Sequence, residues 1–84
     1  MSVSAETVLT EIRRVVAREV SSPRELTGSD RLIDDLGLDS LSLTTLAVEL
    51  EDRFEVYLSD EEATRVTTVD ELVRCVLARA GARA

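Results

Sequence analysis

Apolar residues return at helical spacing in three separate stretches, and this periodicity constrains the fold more than any other feature of the chain. In the last stretch Val69, Leu72, Val73, Val76, Leu77 and Ala80 form a complete i, i+3, i+4 stripe. Val8, Leu9, Ile12, Val15 and Val16 line one face in the first stretch, and Leu43, Leu46, Ala47, Leu50 and Phe54 do so in the middle one. The punctuation agrees with these assignments. Ser4 is placed to cap a first helix with Glu6 in its first turn, and Ser21-Ser22-Pro23 should end it, giving a helix over 5–19. Ser59-Asp60-Glu61-Glu62 and Thr68-Val69-Asp70-Glu71 both have capping-box spacing. The first predicts a short helix over 60–65; the second opens a longer one that Gly81 should stop. Glu55-Val56-Tyr57-Leu58 could be extended, but four residues without a partner make no sheet. The predicted fold is all-α: a small four-helix bundle of three main helices and one short one, with a long loop between helices one and two.

Only Phe54 and Tyr57 are aromatic, so the core of such a bundle must be aliphatic. With 84 residues, positions 1–84 are expected to form a single domain. A domain of this size buries little more than about 60% of its unfolded surface, so its stability margin is thin. No apolar run approaches the roughly 18 residues of a membrane span, and no basic, apolar leader opens the chain. A soluble, cytoplasmic, monomeric protein is expected.

The missing residue types exclude much chemistry. Histidine is absent, which removes Ser-His and Cys-His triads and the commonest transition-metal ligand. Lysine is absent too, and with it Schiff-base catalysis. Cys75 is the single cysteine, so no internal disulfide or cysteine-based zinc site can form, and it reads as a small half-buried residue of the last helix. The acids between residues 30 and 39 do not fall at EF-hand spacing around Gly37. No metal site is expected.

Charge is concentrated. The chain carries a net −7, and eleven of its 17 acids lie in residues 30–62, opposed there only by Arg31 and Arg53. Such a surface repels nucleic acid and anionic membrane and attracts basic protein patches.

Residues 21–38 show neither helical nor strand period. A connection this long in a small domain is functional or disordered. Disorder is disfavoured by Leu26, Leu32, Ile33, Leu36 and Leu38, which should anchor the loop. Thr27-Gly28-Ser29-Asp30 reads as a turn, and Gly37 should supply a backbone angle or a close approach that a side chain would block. The loop delivers Ser40 to the start of the second helix. On that helix Leu41, Thr44, Val48 and Asp52 share a side that the core stripe does not need, so Leu41 and Val48, rimmed by acids, form a candidate docking surface.

Ser40 admits three readings. It could be an ordinary first-turn serine. It could be a nucleophile, but Asp39 is a poor base for a hydroxyl and no histidine exists to mediate. It could be esterified by another enzyme, placing a phosphodiester near the free N–H groups and positive end of a helix. Asp35 and Asp39 would oppose that charge, and so suit the modifying enzyme or its metal better than the product.

Leu36-Gly37-Leu38-Asp39-Ser40-Leu41, Phe54 at the end of the second helix, Ser59-Asp60-Glu61-Glu62-Ala63 and Val66-Thr67-Thr68-Val69 fall in the order and spacing of a known family. Over residues 30–77 the chain resembles the phosphopantetheine-dependent acyl carrier proteins. The resemblance implies a non-catalytic four-helix bundle with 4′-phosphopantetheine on Ser40, transferred from coenzyme A by a separate Mg²⁺-dependent phosphopantetheinyl transferase. The arm's thiol would hold acyl groups as thioesters and deliver them to acyl-loading and acyl-processing enzymes with basic docking patches. Carried over by position, the partner-facing residues are Asp35, Asp39, Leu41, Thr44, Val48, Glu51 and Asp52. Ser42, Thr45 and Arg53 make the helix less acidic than in primary fatty-acid carriers, which suggests a polyketide, fatty-acid-like or other specialised pathway. An aminoacyl or peptidyl carrier has the same attachment chemistry, although Gly37-Leu38-Asp39-Ser40 looks more like acyl carriers. An unmodified acidic helical adaptor is the remote rival.

Overall fold

Aliphatic stripes on three helices meet in one core in the computed structural model, which describes residues 3–19 and 26–83 and side chains as far as residue 81. The elements are α1 (Ala5–Glu19), α2 (Ser40–Phe54), α3 (Asp60–Arg65) and α4 (Val69–Arg83), and α1 packs against both α2 and α4. Among the described residues the only β-type pairing is an isolated bridge between Arg31 and Thr68. The all-α, four-helix expectation holds.

Val8, Ile12, Val15, Leu46, Leu50, Val69 and Val76 are the innermost side chains. They are the residues that helical spacing places on one face of each long helix. Leu43 and Ala47, expected in the core stripe of α2, are only half-buried, because the thin α3 covers them incompletely. α3 itself contributes no buried residue. A capping box between Ser59 and Glu62 closes its own start, and ion pairing of Glu62 with Arg79 ties it to α4.

Local signals account for the ends of the helices. The Ser4 hydroxyl accepts from the Thr7 N–H at 3.2 Å. Thr68 and Glu71 cap α4 reciprocally, through a Glu71 N–H to Thr68 Oγ1 contact of 3.2 Å and a Thr68 N–H to Glu71 Oε1 contact of 3.1 Å. Ser21-Ser22-Pro23 lies outside the described residues. Gly81 does not stop α4, which runs on to Arg83. A glycine late in a helix costs only about 1 kcal/mol, and the alanines on either side favour continuation. α2 ends in a left-handed cap at Glu55, with φ 54°, where glycine is the usual residue.

The long loop is stapled to the start of α4. Leu32 N–H donates to Thr67 O at 2.9 Å, Val69 N–H to Asp30 O at 3.0 Å and Asp70 N–H to Gly28 O at 2.9 Å. The expected turn at Thr27–Asp30 closes with Asp30 N–H donating to Thr27 O at 3.1 Å. Gly28 allows the close approach, since a Cβ there would lie 2.2 Å from the Asp70 carboxylate. Residues 31–37 then coil through one tight turn. Leu32, Leu36 and Leu38 are buried, but Ile33, expected as an anchor, is 57% exposed. Leu32 and Leu36 occupy the inner side of that turn at i and i+4, which leaves Ile33 outside.

Candidate functional site

Everything about the loop converges on the first turn of α2. Gly37 takes φ +77°, a left-handed angle that a side chain would strain, and no atom lies near where its Cβ would be. Of the two roles sequence allowed it, the backbone angle is the one observed. Leu36 and Leu38 are buried on either side, so the chain enters α2 on a fixed course. Asp39 is the N-cap: its Oδ1 accepts the Ser42 N–H at 2.8 Å. That backbone bond, with the Ser42 hydroxyl and the Leu41 N–H also contributing, holds the Asp39 carboxyl below its ordinary value. Its capping role was not foreseen. It also narrows one expectation, because the Ser42 N–H is taken by Asp39 and so is not among the free N–H groups at this helix end.

Ser40 follows as the first helical residue, with its side chain exposed. Among the described residues no side chain hydrogen-bonds its hydroxyl, while its carbonyl accepts from Thr44 Oγ1 at 2.9 Å. From Ser40 an open groove of ≈ 440 Å³ runs between α2 and α3. Thr44, Val48 and Glu51 form its α2 wall, and Tyr57, Asp60 and Thr64 stand opposite. Beneath it an apolar cavity of ≈ 40 Å³ lies among Leu32, Leu43, Leu46, Leu58, Val66 and Cys75.

The seven expected docking residues divide into groups. Thr44, Val48 and Glu51 share the groove with Ser40, whereas Asp35, Asp39, Leu41 and Asp52 do not line it. Leu41 is 75% exposed and Val48 46%, as an unburied apolar pair requires. Asp35 bonds within the loop, where its Oδ2 accepts the Arg31 N–H at 2.7 Å. Glu51 is half-buried and tied to the backbone, its Oε2 accepting the Leu58 N–H at 2.8 Å. This holds the α2–α3 connection against α2. Asp52 is simply exposed.

Other acids are committed to the scaffold. Glu49 meets Arg18 and, at 3.5 Å, Arg14 of α1. Glu11 is buried beneath Arg14 and Arg53, and the Arg14 hydrogen bond is the main cause of its lowered pKa. Glu49 and Glu51 are therefore not free surface charges, whereas Asp35, Asp39 and Asp52 remain exposed.

A family model described as a phosphopantetheine attachment site matches residues 6–76. The chain is also 33% identical, over 82% of its length and 92% of the relative's, to an acyl carrier protein of Wolinella succinogenes. It belongs to the acyl carrier protein family. Among solved structures it is similar to the acyl carrier protein of Enterococcus faecalis, with TM-score 0.76 and 28% identity over 92% of this chain and 99% of that one. It is likewise similar to hexanoyl acyl carrier protein from the actinorhodin polyketide synthase of Streptomyces coelicolor, with TM-score 0.71 and 29% identity over 87% and 90% of the two chains.

As an acyl carrier protein it is a carrier and not an enzyme, and its prosthetic group is covalently bound phosphopantetheine. The unmodified-adaptor reading falls with that result. Cys75 does not stand in for the carrier thiol. Burial is the main factor pushing its pKa up, with the nearby Glu62 carboxylate, whose Oε2 lies 3.9 Å away, also contributing. A thiol so disposed is a poor nucleophile. No helix among the described residues is long and apolar enough to cross a membrane.

Proposed function

We propose that Ser40 is the residue that carries the phosphopantetheine arm. The observation behind this reading is an exposed hydroxyl at the first position of α2, unpartnered among the described residues and opening onto a groove, in a chain without histidine. The residues fit the group: Ser40 is accessible to a transferase, and the adjoining groove offers both apolar and polar walls. In the attachment Ser40 Oγ forms a bond to the phosphorus next to pantetheine, the pyrophosphate P–O bond of coenzyme A breaks, adenosine bisphosphate leaves, and the serine proton passes to the transferase. Once in place the arm supplies a thiol that holds acyl groups as thioesters. Asp39 fixes the helix start, and Gly37 with its two buried leucines fixes the approach, so every partner meets the same presentation of Ser40.

The partner surface comprises Asp35, Asp39, Leu41, Thr44, Val48, Glu51 and Asp52, meeting basic patches on the transferase and on acyl-loading and acyl-processing enzymes. An exposed apolar pair among partly neutralised acids suits fast, salt-sensitive and transient binding. A specialised pathway of polyketide type is supported by likeness to the actinorhodin carrier in three acylated forms, at 26–32% identity. Ser42, Thr45 and Arg53 on α2 point the same way. The working unit is one monomeric carrier domain in the cytoplasm. A cavity of ≈ 40 Å³ holds little more than one small group, so sheltering an acyl chain requires α3 to shift. Identical core chemical shifts in unacylated and long-chain-acylated protein would remove that part of the reading.

The test is intact mass after incubation with coenzyme A, Mg²⁺ and a broad-specificity phosphopantetheinyl transferase. One added phosphopantetheine on the wild type and none on Ser40→Ala is expected. A folded wild type that stays unmodified with several transferases overturns the assignment.

A further inference from the structure

Tyr57 is the exposed aromatic that the carrier reading leaves without a role. It lies on the α2–α3 connection between Val56 and Leu58, both buried, so the local alternation turns it outward, and it is 74% exposed. Exposed aromatics standing alone are ordinary. This one is not alone, because it lines the groove that Ser40 opens. Its neighbour Leu58 is held to Glu51 of α2 by the 2.8 Å bond, which fixes the connection against the groove. At 1.5 Å per residue, the α2 wall from Ser40 to Glu51 is about 16 Å long, and Tyr57 stands across from it.

The polar lining is one-sided. Thr44 Oγ1 donates to Ser40 O at 2.9 Å and Thr64 Oγ1 to Asp60 O at 2.7 Å, so both hydroxyls present lone pairs to the groove. Glu51 and Asp60 are acceptors as well. With Ser40 esterified, the Tyr57 phenol is the one uncommitted side-chain donor among the groove's lining residues. A pantetheine arm carries two amide N–H groups and a hydroxyl that suit the acceptors, two carbonyls that need a donor, and a gem-dimethyl unit that needs an apolar wall.

We propose that Tyr57 receives the pantetheine arm in this groove: its ring packs against the arm, and its hydroxyl donates to an arm carbonyl. The proposal rests on Ser40 being the attachment point. Tyr57 then acts as a positioning residue, biasing the arm toward the groove between visits to partners while remaining free to release it.

Because Tyr57 is the sole tyrosine and the chain has no tryptophan, its ring resonances and its fluorescence report on one site. The experiment compares unmodified protein with isotope-labelled protein carrying an unlabelled arm, after intact mass has established full conversion. Expected are filtered NOEs from Tyr57 ring protons to the arm's gem-dimethyl group and a change in tyrosine fluorescence between the two forms. Tyr57→Phe should keep ring contacts but lose the shift of the bonded arm amide. Tyr57→Ala should return the Thr44 and Thr64 amide shifts toward those of unmodified protein, with an unchanged melting transition because the side chain is exposed. Full conversion with no ring NOE and no ring shift overturns the proposal while leaving Ser40 in place. Ring shifts that arise only on adding a partner enzyme overturn it in favour of a protein contact. Failure to convert at all removes the attachment reading itself, and mass alone distinguishes that case.

Discussion

Leu46→Ala tests whether the helix that presents Ser40 is anchored as described. Leu46 is 1% exposed and forms part of the wall of the ≈ 40 Å³ apolar cavity beneath α3. Truncation removes the equivalent of three methylenes from the core, about 2 kcal/mol of transfer free energy. It also vacates roughly 80 Å³, worth a further 2 kcal/mol or so at about 24 cal/mol per Å³ if the site does not collapse. Collapse is disfavoured here, because the new space merges with a void the surrounding side chains already fail to fill. The expected loss is about 4 kcal/mol. At roughly 0.05–0.15 kcal/mol per residue the whole domain has only about 4–13 kcal/mol to lose, and a small one tends toward the lower end. Urea unfolding followed by circular dichroism would read this as a lowered midpoint with an unchanged slope, or as a chain already unfolded in buffer. Leu46→Met, which conserves volume, should cost less than about 1.5 kcal/mol and so controls for the site. An alanine variant within 1 kcal/mol of wild type would refute the packing of α2 argued above.

Three other perturbations separate scaffold from surface. Glu51→Ala should cost about 1.5–3 kcal/mol through loss of a charge-assisted bond to the Leu58 N–H, with Glu51→Gln milder because an acceptor remains; an alanine variant as stable as wild type in urea would remove that tie. Val48→Arg should slow turnover with partner enzymes while leaving the melting transition intact, and unchanged kinetics with several partners would take Val48 out of the interface. Glu71 is held down to about 2 from 4.5, chiefly by the Thr67 hydroxyl and then by the Thr67 and Thr68 N–H groups. A lowered folded-state pKa stabilises above the ordinary value and is lost as pH falls, so the stability gap between wild type and Glu71→Gln should be full at pH 6 and close between pH about 4.5 and 2. A gap independent of pH would contradict this.

The helical elements were legible because burial on one face imposes a period that survives in any sequence. The two capping boxes were legible because they are local. The proposal for Ser40 starts from its place at the end of the loop and the absence of any base, both of which can be read in the sequence. What sequence missed had several causes. Glu51 and Asp39 read as surface charge, but one holds Leu58 seven residues away and the other caps α2. Asp39 did carry a signal, since an aspartate just before a helix is a favoured N-cap. Ile33 was misassigned because a loop without a period does not tell inner from outer apolar residues. The left-handed cap at Glu55 left no trace, because glutamate stands where glycine usually marks that conformation. The groove around Tyr57 depends on the connection folding back over α2, which the Glu51 side-chain bond to Leu58 and the Val56 N–H bond to Glu51 O hold in place.

The most direct test of the central claim is to locate the prosthetic group within the converted protein. Trypsin should release residues 32–53 between Arg31 and Arg53 as one peptide containing Ser40, Ser42, Thr44 and Thr45. Fragment ions that place phosphopantetheine on Ser40 alone are the predicted result. The group on Ser42 or a threonine, or on a peptide outside 32–53, would contradict the account.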